Sequence, residues 1–223
     1  MIFHTAAEQN YYEKFYSLYS NSIKKFYPEA ELSLHFLGKE PPLKNKNISY
    51  RSYENISFDQ IQKKYKTLNT RDTKGYYALA RWRSIPEVSK NVVVSDVDII
   101  AIKTINQERF NDLFKTHEVI NITRTKKNGA EGGMAMLCLR HDIISDVNNF
   151  SSKVLYNSKL QWDSDVSVRT YLYNNYEVAE IPEMYVFNKK TNYNTYSTSK
   201  SFAIFKGKIE NKINSLSKGL DRL

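Results

Sequence analysis

The sequence predicts an α/β protein with a mainly parallel central sheet and helices on both faces. Three observations carry that expectation. Strand-like and helix-like stretches alternate along the chain, and the first forty or so residues read strand, helix, strand. The run Val92-Val93-Val94 is apolar and β-branched without alternation, the pattern of a central strand covered on both faces.

In order, Ile2-Phe3-His4-Thr5 reads as a first strand. Tyr12, Phe15, Tyr19, Ile23 and Phe26 recur at three- and four-residue intervals, predicting an amphipathic helix that Pro28 closes. Leu32-Ser33-Leu34-His35-Phe36-Leu37 alternates as a second strand, a polar loop covers 38–47, and Ile48-Ser49-Tyr50 is a candidate short third strand. Helices are expected over 58–65 and 76–85, the second ended by Pro86 and leading into the Val92 strand. A helix near 107–115, a strand over 119–122, a basic loop over 124–129 and a strand over 134–139 follow. Helices over 141–154 and 164–173, strands over 177–181 and 184–187, a Tyr-rich polar stretch over 191–201 and a basic helix over 208–218 complete the reading.

At 223 residues with 41% hydrophobic content, the chain has the size and the apolar residues for one large domain. Its single cysteine, Cys138, sits in an apolar run and reads as a buried, inert thiol. One thiol excludes an internal disulfide, which suits a reducing compartment. The start of the chain has no basic and apolar leader pattern, and no run approaches a membrane span. A soluble cytoplasmic protein is the expectation. The formal charge of +9 draws polyanions (nucleotides, nucleic acid or an anionic membrane surface) without choosing among them.

The chemistry concentrates at Ser95-Asp96-Val97-Asp98, the end of the valine run. On a continuing strand, Asp96 and Asp98 would point to the same side. In open α/β sheets ligands bind at the carboxyl ends of strands. Two carboxylates placed there repel unless a cation lies between them, and Mg²⁺ or Mn²⁺ carrying a diphosphate suits such a pair. A solvated strand-end pair is the bland alternative. The four histidines, His4, His35, His117 and His141, show no metal-ligand spacing and read as ordinary surface or core residues.

The order of features resembles a GT-A glycosyltransferase, most similar to the family-8 (galactosyltransferase and glycogenin) type. The first strand followed by Ala6 and Ala7 resembles that family's nucleotide-binding opening, and Tyr77-Ala78-Leu79-Ala80-Arg81 its Tyr-Ala-Arg helix. Val92 to Ile100 resembles its strand with the DxD motif, Glu131-Gly132-Gly133-Met134 its acceptor-side segment, and Trp162-Asp163-Ser164-Asp165 its Asp-Gln-Asp segment.

The resemblance implies a GT-A (Rossmann-like) fold in a single domain over 1–223. Residues 1–100 would form the nucleotide-binding part, 101–205 the acceptor and sugar part, and 206–223 a basic C-terminal helix. It also implies transfer of a hexosyl group, with retention, from a nucleotide-diphosphate sugar such as a UDP-sugar to a saccharide or other acceptor. Asp96 and Asp98 would hold Mn²⁺ or Mg²⁺. Arg81 would face the donor sugar or diphosphate, Thr5 and Ala6 the base or ribose, and Lys206 or Lys208 the diphosphate. Asp163 would contact sugar hydroxyls, and Asp163, Asp165 and Arg81 are the candidate catalytic residues. Four positions depart from the family pattern. Ser164 stands between the two acids, Glu131 precedes the double glycine, and Ile204 and Glu210 replace the histidine and lysine of the C-terminal metal motif around Gly207. The third metal ligand therefore stays open.

Two rival enzyme classes fit less well. Phosphatases with a DxD place it early in the domain, and polymerase-type nucleotidyltransferases need an upstream Gly-Ser pair. The alternative acceptor is a modified base in DNA, with Lys126 and Lys127 tracking phosphates, and the non-enzymatic alternative is a basic nucleic-acid-binding protein.

Overall fold

Strand β1 (Ile2–Glu8) lies near the middle of the sheet, buried on both faces through Thr5. The computed structural model describes residues 1–38, 47–65, 70–101, 107–122, 136–157, 164–181 and 203–204. On one side of β1 lie β2 (Glu31–Leu37) and then β3 (Ile48–Glu54), and on the other lies β4 (Val92–Ser95), all parallel. Beyond β4 come β7 (Met136–Leu139), β6 (Val119–Asn121) and β8 (Val178–Glu180), giving the order β3-β2-β1-β4-β7-β6-β8. β7 runs antiparallel to both neighbours, while β8 is parallel to β6. The sheet is therefore mainly parallel, and six of its strands end at one edge.

The valine run shows why it does not alternate. Val93 packs with Phe3, Leu32 and Leu34 under the helical segment α1 (Gln9–Tyr11), a π turn (Tyr12–Tyr16) and α2 (Ser17–Phe26). Val92 and Val94 pack on the opposite face against α4 (Thr70–Arg83), α6 (Ile144–Asn157) and α7 (Asp165–Asn175). Each face removes apolar side chains from water, worth roughly 1.5–3 kcal/mol per fully buried large residue.

Local chemistry sets the helix ends. The Glu8 carboxylate accepts hydrogen bonds from the Asn10 and Tyr11 amides at 2.9 and 3.0 Å, so the helix starts three residues earlier than its aromatic periodicity indicates. Ser57 and Gln60 bond each other's backbone amides reciprocally, a capping box for α3 (Phe58–Tyr65). α5 (Gln107–Leu113) and a 3₁₀ turn (His141–Ile143) before α6 complete the helices among the described residues.

Two expectations need correction. The third strand covers seven residues rather than three, because β2 offers it a ladder from Leu32 to Leu37. The valine strand does not continue through the aspartates. It ends at Ser95, Asp96 to Asp98 form a turn, and Ile99–Ile100 becomes β5, which pairs antiparallel with β9 (Ala203–Ile204) in a separate two-stranded sheet. The expected basic loop at 124–129, the strand at 184–187, the polar stretch at 191–201 and the helix at 208–218 lie outside the described residues.

Candidate functional site

The chain moves outward from β1 through β2 to β3, then crosses back to place β4 on the other side of β1. That reversal is a topological switch point, where a crevice opens at the carboxyl ends of the strands. β1 pairs with β2 along its full length but with β4 only from Ile2 to His4. Residues Thr5 to Glu8 thus extend past the β4 ladder. Thr5 is fully buried, and its hydroxyl has no hydrogen-bond partner among the described residues; Ala6 is half-buried.

The Asp96–Asp98 turn follows β4 at its carboxyl end, and α2 holds it at both ends. The Ser95 hydroxyl donates to the Tyr19 hydroxyl at 3.0 Å, and the Ala101 amide donates to the Ser22 hydroxyl at 3.0 Å. Ser22 in turn donates to the Tyr19 carbonyl at 2.8 Å. Between the two acids, Val97 is buried in the core while Asp96 and Asp98 stay half-exposed. Burial of Val97 in the core leaves the two flanking carboxylates outside it. A turn pinned by α2, and not strand alternation, sets the placement of the two acids.

Arg81 brings the acids together. It lies in the last turn of α4 with its side chain only 7% exposed, ion-paired to Asp96 and, at 2.8 Å, to Asp165. Burial pulls its pKa down, opposed by the negative charge of Asp165 and then of Asp98. The cation between the carboxylates is thus supplied in part by the chain itself. Asp165 opens α7, and Ser164 stands at the N-cap position without a side-chain capping hydrogen bond. Asp163, Lys206 and Lys208 lie outside the described residues, as do Lys126, Lys127 and Glu131.

Beneath α4 runs a polar ladder built on two of the core histidines. His4 is fully buried, its Nδ1 2.8 Å from the Ser33 hydroxyl and its Nε2 3.3 Å from the Ser84 hydroxyl. Burial and then the nearby His35 drive its pKa down to about 3, against a hydrogen bond to the Arg81 backbone. His4 is therefore neutral at pH 7. One strand over, His35 Nδ1 lies 2.7 Å from the Ser52 hydroxyl and Nε2 lies 3.6 Å from the Glu54 carboxylate. Glu54 also accepts hydrogen bonds from Tyr76 and Arg83 of α4. Burial alone would raise its pKa; the neighbouring His35 ring, the Arg83 charge and the Tyr76 and Arg83 hydrogen bonds outweigh it, leaving a value of about 2. Nothing in the sequence marks Glu54, since a glutamate at a strand end is common.

Among the described residues no three His, Cys, Asp or Glu side chains gather as a metal cluster. Asp96 and Asp98 are nonetheless hard oxygen donors on one turn, which fits Mg²⁺ or Mn²⁺ drawing its remaining ligands from phosphate oxygens. No described helix is long and apolar enough to cross a membrane.

No family model matches the chain, and no curated protein resembles it in sequence. Solved structures share its fold. An active-site mutant of LgtC superposes with a TM-score of 0.51 at 11% identity, covering 98% of this chain and 95% of that one. The galactosyltransferase LgtC in complex with donor and acceptor sugar analogues gives 0.51 at 12% identity, over 98% and 96%. The apo glycosyltransferase GlyE of Streptococcus pneumoniae TIGR4 gives 0.50 at 11% identity over 82% of this chain, which spans 45% of that protein. The fold is GT-A-like, as in LgtC.

Proposed function

We propose that the chain is a glycosyltransferase moving a hexosyl group, with retention, from a nucleotide-diphosphate sugar (a UDP-sugar) to a saccharide acceptor. One observation carries the reading: Asp96, Asp98 and Asp165 converge on the buried Arg81 beside the switch-point crevice of a GT-A-like fold. That LgtC was solved with donor and acceptor sugar analogues supports the substrate class.

In the transfer, the bond from the anomeric carbon to the diphosphate oxygen breaks and an acceptor oxygen takes that carbon. The acceptor's hydroxyl proton leaves with the diphosphate. Mn²⁺ or Mg²⁺ held by Asp96 and Asp98 would supply Lewis-acid stabilisation of the leaving charge. Arg81 neutralises further charge from a fixed, water-poor position, which strengthens its action relative to an exposed side chain. Asp165 orients that guanidinium, and Asp163, by the sequence resemblance alone, would contact the sugar hydroxyls. Thr5 and Ala6 would offer backbone groups to the base or ribose, and by the sequence resemblance Lys206 or Lys208 would meet the diphosphate.

The test is consumption of a panel of nucleotide sugars with Mn²⁺ present or removed by chelation. Asp98→Asn is expected to abolish metal-dependent binding of nucleotide diphosphate while leaving the melting temperature almost unchanged, since it removes a half-exposed charge and no core volume. Undiminished binding by this variant would overturn the metal assignment. A wild-type protein that consumed no nucleotide sugar under any metal condition would overturn the activity.

A further inference from the structure

Helix α4 carries Arg81 on one flank and a second set of polar anchors on the other. Tyr76 and Arg83 are seven residues apart, close to two full turns, so they share a face. Arg81 lies about 140° around the helix from Tyr76 and about 160° from Arg83. Tyr76 and Arg83 both donate to the carboxylate of Glu54, the last residue of β3. Arg83 also lies over the Tyr76 ring, 4.9 Å from its centroid. Glu54 is itself locked: His35 stands 3.6 Å away, and its backbone carbonyl accepts from the Gly38 amide at 3.2 Å and the Ile56 amide at 2.9 Å. The helix is therefore gripped from both sides, by Glu54 on the β3 side and by Asp96 and Asp165 on the site side.

From this arrangement we propose that Glu54 is a positioning residue for the site: it sets the rotation of α4 about its axis and thereby the place of the Arg81 guanidinium. The lever is long. An arginine head stands roughly 8 Å from its helix axis, so a rotation of about 10° displaces it by more than about 1 Å. A displacement of that size in a positioning group can cost on the order of a hundredfold in rate. Arg81 has little room to recover by flexing, because its side chain is buried and already committed to two carboxylates. That this setting governs turnover rests on the function proposed above; that Glu54 governs the setting does not.

The experiment follows the Nε–H signals of Arg81 and Arg83 in ¹⁵N-labelled protein, identified by Arg81→Lys and Arg83→Lys. Glu54→Gln keeps the shape and removes the charge that grips α4. The Arg81 signal is expected to shift, and its exchange with water to accelerate about tenfold or more. An Arg81 signal left at its wild-type position and exchange rate, with only Arg83 moved, overturns the proposal. Should Glu54→Gln fail to fold, Tyr76→Phe removes one of the same hydrogen bonds, and the same two outcomes decide. Turnover provides the second reading. Glu54→Gln is expected to lower kcat about tenfold or more with little change in donor KM, and to add nothing in an Arg81→Lys background. An equal additional loss in that background overturns the proposal. A wild type inactive on every donor would refute the proposed function alone, because the arginine signals report on Glu54 without any substrate.

Discussion

His4 shows how a single buried side chain ties the site to the stability of the molecule. Its folded pKa of about 3 lies below the ordinary value of 6.5, so the native state binds fewer protons than the unfolded chain between those limits. The associated stability is present above pH 6.5 and is lost as the pH falls toward 3, at about 1.4 kcal/mol per pH unit. Denaturant titrations from pH 6.5 to 5 should therefore show a loss of about 2 kcal/mol from this group. His4→Asn, which keeps an amide near Ser33 but cannot take a charge, should flatten that slope. Equal slopes in both proteins would show that His4 accepts a proton in the fold without cost. Glu54, depressed to about 2, works in the same direction, but its window opens only below the ordinary glutamate value of 4.5. Above pH 4.5 the loss therefore belongs to His4, and below it the two contributions overlap.

At the scale of elements, the Asp96–Asp98 turn depends on α2, a helix far from it in sequence. Tyr19 accepts from Ser95 in a fully buried contact, and Ser22 accepts from the Ala101 amide. Tyr19→Phe leaves the Ser95 hydroxyl buried without its partner, which costs on the order of 1–3 kcal/mol. Adding Ser95→Ala removes the orphaned group as well, so the double variant should recover part of that loss. Urea unfolding of the two single variants and the double variant gives the coupling. Strict additivity would mean that the hydroxyl pair does not hold the turn. The short sheet of Ile99–Ile100 with Ala203–Ile204 has the matching role on the turn's far side, since it fixes where the chain goes after Asp98.

For the whole molecule, the formal charge of +9 and the placement of the acids act at different ranges. The net field concentrates anionic ligands around the protein and weakens with salt. The crevice selects among them by contact. A nucleotide diphosphate with Mn²⁺ at a hundred times its Kd should stabilise the fold by about 2.7 kcal/mol, a rise of about 5–10 °C for a chain of this size. Thermal unfolding with UDP, with Mn²⁺ and with both distinguishes a shared site from independent binding, because only a shared site makes the joint shift exceed the sum. A purely additive response would argue against a metal-assisted nucleotide site.

Much of the architecture is legible in the sequence because hydrophobic periodicity records local burial. The Val92–Val94 run announces a strand covered on both faces, residues 58–65 form the helix their spacing indicates, and the opening strand, helix and strand are where the pattern puts them. The pairing of two acids around Val97 likewise marks the candidate site. Local pattern carries no information about which remote face meets which. It does not show that β7 enters the sheet antiparallel between β4 and β6, or that β5 leaves the main sheet to pair with a strand about a hundred residues later. Nor does it join Arg81 to Asp165, 84 positions apart, or Glu54 to Tyr76 and Arg83. Those contacts exist because α4 must bury one apolar face on β1 and β2, and only that docking decides which polar groups arrive at its two flanks.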